Sequence, residues 1–168
     1  PSRGLGDVYK RQVFGISLKD RGAILSAGHS ADACYWMNKE GEWISSSYYM
    51  SELPKWIVDF QTKNSAKSYL AKNWNYDNKF NYNLDSLSNF DGNGIIKSTP
   101  HGNSILADLA IELMKQEELG KNESTDFLIL SFSSTDYIGH KYGPHSPEIE
   151  DTYKKLDNDI AKIISYIE

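Results

Sequence analysis

Apolar positions along this chain follow two periods, and the changes between them mark its elements. The stretch at 13–18 is short and continuously apolar, which predicts a buried strand. The next, 21–27, fits a short helix or a continuation of the same apolar segment. Ala33–Met37 and 42–49 flank Asn38-Lys39-Glu40-Gly41, a turn sequence, so two strands are expected there. Over 53–61, Leu53, Trp56, Ile57 and Phe60 recur at helical spacing, with Ser51 as the candidate cap. A shorter helical piece is expected at 65–72. From 73 to 98 the chain is rich in Asn, Asp, Tyr and Ser and shows little periodicity. That region reads as a long loop insertion that needs a larger protein to support it. A strong helix follows at 103–119, where Ile105, Leu106, Leu109, Ala110, Leu113 and Met114 mark one face and Gly120 ends it. A polar connection, 121–125, leads into Phe127-Leu128-Ile129-Leu130, a second buried strand. The last helix opens with Ser146 as N-cap, Pro147 at its first position and Glu148 near its positive end. Its apolar positions are Ile149, Tyr153, Leu156, Ile160, Ile163, Ile164 and Ile167. Helix, strand, helix in that order predicts a doubly wound α/β arrangement. There are no internal repeats.

Composition narrows the function classes. The 168 residues suffice for one domain with a sizeable core. A net charge of -5 gives no basic footprint for nucleic acid. A small anionic substrate stays open, because local cations dominate a cleft even in an acidic protein. Cys34 is the one cysteine, so no intrachain disulfide forms. No apolar run reaches the length of a membrane span. The first residue is Pro1, and Asp7-Val8-Tyr9-Lys10-Arg11-Gln12 is what a transposon-end sequencing adapter gives when translated. Residues 1–12 are therefore expected to be non-native. The last helical pattern runs to the final residue without a capping glycine. Both ends read as cuts, and 13–168 as an incomplete domain of a longer enzyme.

The strongest candidate chemistry lies in Ser133-Ser134-Thr135-Asp136-Tyr137-Ile138-Gly139-His140, directly after the second strand. Active sites of α/β proteins gather at the carboxyl ends of their strands. In a turn of helix or a tight loop, Asp136 and His140 fall on one side. Both residue types bind Zn²⁺, at roughly 2.0–2.2 Å. Gly139 allows a sharp turn or a close approach there. Such a pair also recurs by chance, so spacing alone does not assign it. Lys19 and Arg21 are the second candidates. They lie just past the first strand, and in extended chain they point to the same side. Arg clamps two phosphate oxygens with a planar fork, and Lys adds a mobile point charge. Of the remaining histidines, His29 reads as a packed or hydrogen-bonded residue. His101 lines an entrance or is exposed, and His145 belongs to a loop. The four tryptophans, Trp36, Trp43, Trp56 and Trp74, read as core and cleft lining.

The run from Thr125 through Pro144 resembles the alkaline phosphatase superfamily, most strongly its threonine-dependent, single-nucleophile bacterial branch, the PafA type. Phe14-Gly15-Ile16-Ser17-Leu18-Lys19-Asp20-Arg21-Gly22-Ala23-Ile24-Leu25-Ser26-Ala27-Gly28-His29 resembles the same branch, as do Tyr35-Trp36 and Leu53-Pro54-Lys55-Trp56. The likeness runs from about Val13 to the last residue and is weakest in the middle. It implies part of a three-layer α/β/α fold and a parent enzyme that hydrolyses phosphate monoesters with two Zn²⁺ ions. It implies Asp136 and His140 as ligands of one zinc, completed by a histidine from a later segment. The other zinc would take an Asp and the nucleophilic Thr from an earlier segment and an Asp-His pair from a later one. Thr135 is then no nucleophile and orients its loop by a local hydrogen bond. Lys19 and Arg21 would contact the non-bridging phosphate oxygens, which favours a dianionic monoester. The resemblance also implies a small phosphorylated substrate and a periplasmic or secreted location. It names no oligomeric state, and it implies that this chain alone is nearly inactive. The alternatives are a phosphodiesterase or nucleotide pyrophosphatase of the same superfamily, and a non-catalytic binding domain.

Overall fold

The structure, a computed structural model, describes residues 11–168. Most of the proposed adapter segment, residues 1–10, thus lies outside the described residues. Of its last residues, Gln12 accepts a hydrogen bond from the Phe127 amide and donates its own amide to Asp126.

The core is a four-stranded sheet made from β1 (Val13–Ser17), β2 (Ala33–Met37), β3 (Trp43–Ile44) and β6 (Phe127–Ser131), in the order β3-β2-β1-β6. β1 runs parallel to both β2 and β6, and β3 is antiparallel to β2. The register sets Ser17 opposite Ser131, so the carboxyl ends of β1 and β6 finish side by side. β6 is an edge strand among the described residues, and its Phe127 is half exposed.

α1 (Asp20–Ala27) and α5 (Pro100–Gln116) cover opposite faces of that sheet. Side chains alternate between the faces of a strand. Gly15 faces α1, where a Cβ would lie 2.5 Å from the Ala23 carbonyl oxygen, so only glycine lets the two backbones approach this closely. Phe14, Ile16 and Leu18 face the other way and join the buried Ile105, Leu106, Leu109 and Leu113 of α5. The result is the α/β fold in layers that the sequence predicts. Cys34 is free and buried, and burial pushes its thiol up.

The expected helix at 53–61 is α2 (Lys55–Lys63), shifted so that Pro54, not Ser51, stands at its cap. The 65–72 piece shrinks to α3 (Ala66–Leu70). The strand expected over 42–49 is only the two residues of β3, after which the chain turns. α5 begins at Pro100, earlier than its apolar pattern, because proline is favoured where the first amide needs no partner. It also ends earlier than expected, at Gln116 with Glu117 at its cap, so Gly120 lies in the following turn and does not end the helix. α6 (Ser134–Tyr142) and α7 (Pro147–Ile167) follow β6. Ser146 caps α7 as expected, its hydroxyl accepting from the Ile149 amide at 3.2 Å. The apolar stripe of α7 is only half used: Ile149 and Ile163 are buried, whereas Tyr153, Ile160, Ile164 and Ile167 are exposed.

The loop expected at 73–98 is corrected. It holds the hairpin β4 (Trp74–Tyr76) and β5 (Phe80–Tyr82), then α4 (Leu84–Asp91) and a 3₁₀ segment at Asn93–Ser98. The reason is aromatic packing onto distant parts of the chain. Trp74 is buried edge-on against Phe80 and Tyr142, and Tyr82 stacks beside Phe80. Three acids of α7 hold the hairpin: Trp74 Nε1 donates to Asp151, Tyr82 to Glu148 and Tyr76 to Glu150, at 2.6–2.7 Å. No described helix is long and apolar enough to cross a membrane.

Candidate active site

Two chain segments meet where β1 and β6 end. After β1 the chain passes through Ser17 and Leu18 to Lys19, which caps α1 with extended backbone, φ −116° and ψ 137°. After β6 it passes through Ser131 and Ser133 into α6, which carries Asp136 and His140. A serine cluster ties the two ends together. Ser17 Oγ donates to the Ser131 carbonyl at 3.2 Å, lies 3.2 Å from Ser133 Oγ, and accepts from the Lys19 amide at 3.1 Å. Ser17 and Ser133 are buried, so these hydroxyls satisfy one another away from water. The start of α6 is fixed from the α5 side as well: buried Asn103 accepts from the Ser134 amide at 3.2 Å.

This frame brings Lys19 and Asp136 into direct contact as an ion pair. The ammonium also lies 4.5 Å from the centre of the Tyr137 ring, within cation–π range. The hydrogen bond from Lys19 holds the Asp136 carboxyl below the usual carboxylate range. Asp136 and His140 share one side of α6, as their spacing predicts, with Oδ1 3.4 Å from Nε2. Both side chains are open to solvent, at 50% and 83% exposure, and so are accessible to a further ligand. Carboxylate and imidazole donors on one side suit zinc as two of its ligands. No third His, Cys, Asp or Glu joins them among the described residues. Asp136 and His140 would thus supply part of a metal site.

Lys19 and Arg21 line one cavity of about 390 Å³, together with Trp36, Lys97 and Tyr137. Extended backbone would put both side chains on one side, but only Lys19 is extended. Arg21 lies in the first turn of α1 and reaches the same cavity from the helix. Gly139 needs neither a sharp turn nor a close approach. It sits within α6, and a Cβ there would meet Ile149 at an ordinary 3.6 Å. Thr135 behaves as expected, donating to the Phe132 carbonyl at 3.3 Å. His29 and His145 are exposed. His101 is largely buried, which lowers its pKa to about 4 and keeps it neutral. Sequence reasoning missed Ser17, Asn103 and Lys97. Only Asn103 left a signal, as a polar residue at the head of an apolar helix face.

Known proteins resemble this chain over most of its length. The profile of the type I phosphodiesterase / nucleotide pyrophosphatase family matches residues 11–168. A Myroides odoratus protein named calcium-transporting ATPase is 40% identical over 95% of this chain and 34% of its own length. Alkaline phosphatase PafA of Elizabethkingia meningoseptica is 34% identical over 98% of this chain and 35% of its own length. The crystal structure of wild-type PafA superposes with a TM-score of 0.89 at 34% identity, covering 98% of this chain and 36% of that one. The chain therefore spans about a third of the length of these relatives.

Proposed function

Because the chain belongs to the type I phosphodiesterase / nucleotide pyrophosphatase family, we propose that it forms part of a metal-dependent phosphomonoesterase of the alkaline phosphatase type. Lys19 and Arg21 hold the non-bridging oxygens of the phosphoryl group. Asp136 and His140 are ligands of one of two Zn²⁺ ions. The nucleophile is a threonine from another part of the enzyme. The substrate is a small phosphorylated molecule, and the enzyme works in the periplasm or outside the cell.

The observation that carries this reading is the contact between Lys19 and Asp136. It joins the proposed phosphate-binding arm to the proposed metal arm at adjacent strand ends. Bound zinc would supply Lewis-acid stabilisation of charge on the phosphoryl oxygens. The chain's own residues orient and neutralise. Arg21 presents a planar fork to two oxygens, and Lys19 adds a point charge. The Tyr137 ring and the Ser17 hydroxyl confine Lys19 from its tip and its backbone. Such prior placement of cations where charge develops lowers a barrier without reorganisation during the reaction.

A second reading, a phosphodiesterase, is favoured by the description of the matched family. The relative rates of the complete enzyme on a monoester and a diester separate the two. The central assignment is tested by metal content. In the complete enzyme, Asp136→Ala and His140→Ala should each lose bound metal and most activity, because an open catalytic zinc has only three protein ligands. Elemental analysis that finds two metals per chain in both variants would sink it.

A further inference from the structure

Lys97 is a cation in the same cavity that the proposed phosphate site does not use. It comes from the 3₁₀ segment, and its ammonium donates to the Met37 carbonyl at 2.7 Å, at the end of β2. An ammonium has three donors, and this bond occupies one. Among the described residues no carboxylate lies within ion-pair distance of Lys97. Asp20, which also lines the cavity, and Glu40 act on it only through longer-range fields. Its partial burial lowers its pKa, the mark of a charge held out of water without full compensation. A half-buried cation facing a cleft with donors to spare is a binding feature.

Position says which part of a substrate it meets. Asp136 follows β6 and Lys19 follows β1, Trp36 lies in β2, and the Lys97 ammonium reaches the end of β2 through the Met37 carbonyl. Adjacent strands lie roughly 4.8 Å apart, so the Met37 carbonyl that Lys97 holds ends the strand next to the one that leads to Lys19. A phosphoryl group held by Lys19 and Arg21 would leave the part of the cavity lined by Trp36 and Lys97 for what it is attached to.

Resting on the assignment of Lys19 and Arg21 to the phosphoryl group, we propose that Lys97 is a specificity-determining residue that selects phosphate esters whose organic part bears a second anionic group. That group is a carboxylate or a second phosphate. It accepts from the remaining donors of Lys97, while the flat face of Trp36 supports the carbon skeleton between the two anions.

Three non-hydrolysable probes test this on the complete enzyme: phenylphosphonate, 4-carboxyphenylphosphonate and benzene-1,4-diphosphonate. Each is measured as a competitive inhibitor and by calorimetry. The two probes with a second anionic group should bind about tenfold more tightly than phenylphosphonate, the low end for a hydrogen bond between charged groups. A gap with the carboxylate alone, or with the diphosphonate alone, identifies which anion is selected. Lys97→Met and Lys97→Gln should close the gap while leaving phenylphosphonate within about twofold, and Lys97→Arg should retain it. Both neutral variants are compared because only glutamine keeps a donor for the Met37 carbonyl, so a loss of folding in Lys97→Met still leaves Lys97→Gln as the test. Equal affinity of wild type for all three probes overturns the proposal without any variant. So does a gap that survives in either neutral variant. If phenylphosphonate itself fails to bind, the phosphate-site reading falls and this proposal falls with it.

Discussion

Lys19 and Asp136 are ion-paired although they lie 117 positions apart in the chain. The pairing follows from β1 and β6 being parallel neighbours with Ser17 and Ser131 in register. Each residue lies a few positions beyond its strand, so strand pairing alone delivers both to one place. A fold with any other strand between β1 and β6 would hold them apart. The candidate site is thus a property of the sheet order as much as of the residues.

Lys19→Ala and Arg21→Ala should reduce monoester hydrolysis by the complete enzyme much more than diester hydrolysis. A monoester at alkaline pH carries a second full charge on its phosphoryl oxygens, which a diester replaces with an alkyl group. Removing a donor aimed at developing charge typically costs roughly 10²–10³ in rate. Steady-state kinetics on both substrate classes, with metal content as control, gives the answer. Equal losses on the two would mean that these residues act through general binding or folding.

Asn103→Ala should destabilise the fold by about 1–3 kcal/mol, because it strands the buried Ser134 amide whose hydrogen bond it accepts. The same change should weaken metal binding, since that amide opens the helix on which Asp136 and His140 ride. Urea unfolding and metal titration measure the two effects. Unchanged metal affinity in a destabilised variant would show that α6 is held in place without this bond.

Stability should depend on Asp159. Burial raises its carboxyl to about 6, with Ser104 donating to it and Asp108 nearby on α5. A carboxyl raised on folding binds its proton more tightly in the folded state. Its stabilising share is therefore full below the unfolded value of about 3.9 and is lost as pH rises through about 6. Asp159→Asn keeps an acceptor for Ser104 and removes the charge. It should stabilise the protein at about pH 8 and change little at about pH 4, read from denaturation midpoints at the two pH values. A midpoint at the higher pH equal to or below that of wild type would contradict this.

Much of the frame was legible in the sequence because local signals and long-range packing agree there. Continuous apolar runs gave β1 and β6, and Ser146-Pro147-Glu148 gave the start of α7. The Asp136–His140 pairing was legible because one helix carries both. The hairpin at Trp74–Tyr82 was not. Its strands are three residues long, too short for a period to show, and its partners Glu148, Glu150 and Asp151 lie over 60 positions away. Lys97 was hidden for a related reason. Nothing local distinguishes it from a solvated lysine, and only its bond to the Met37 carbonyl draws it into the cavity.

The outer edge of β6 has a practical consequence at the bench. Its Leu128, Ile129 and Leu130 are only partly covered, Phe127 is half exposed, and no described strand pairs with its far side. A bare apolar edge offers unpaired amides and carbonyls to any other chain that reaches it. Overproduced by itself, this polypeptide should accumulate as inclusion bodies, and the fraction that stays soluble should fall as its concentration rises. The substitution Phe127→Lys would put a gatekeeper charge on that edge, improving the yield of soluble material while leaving the strand ends that carry Lys19 and Asp136 intact.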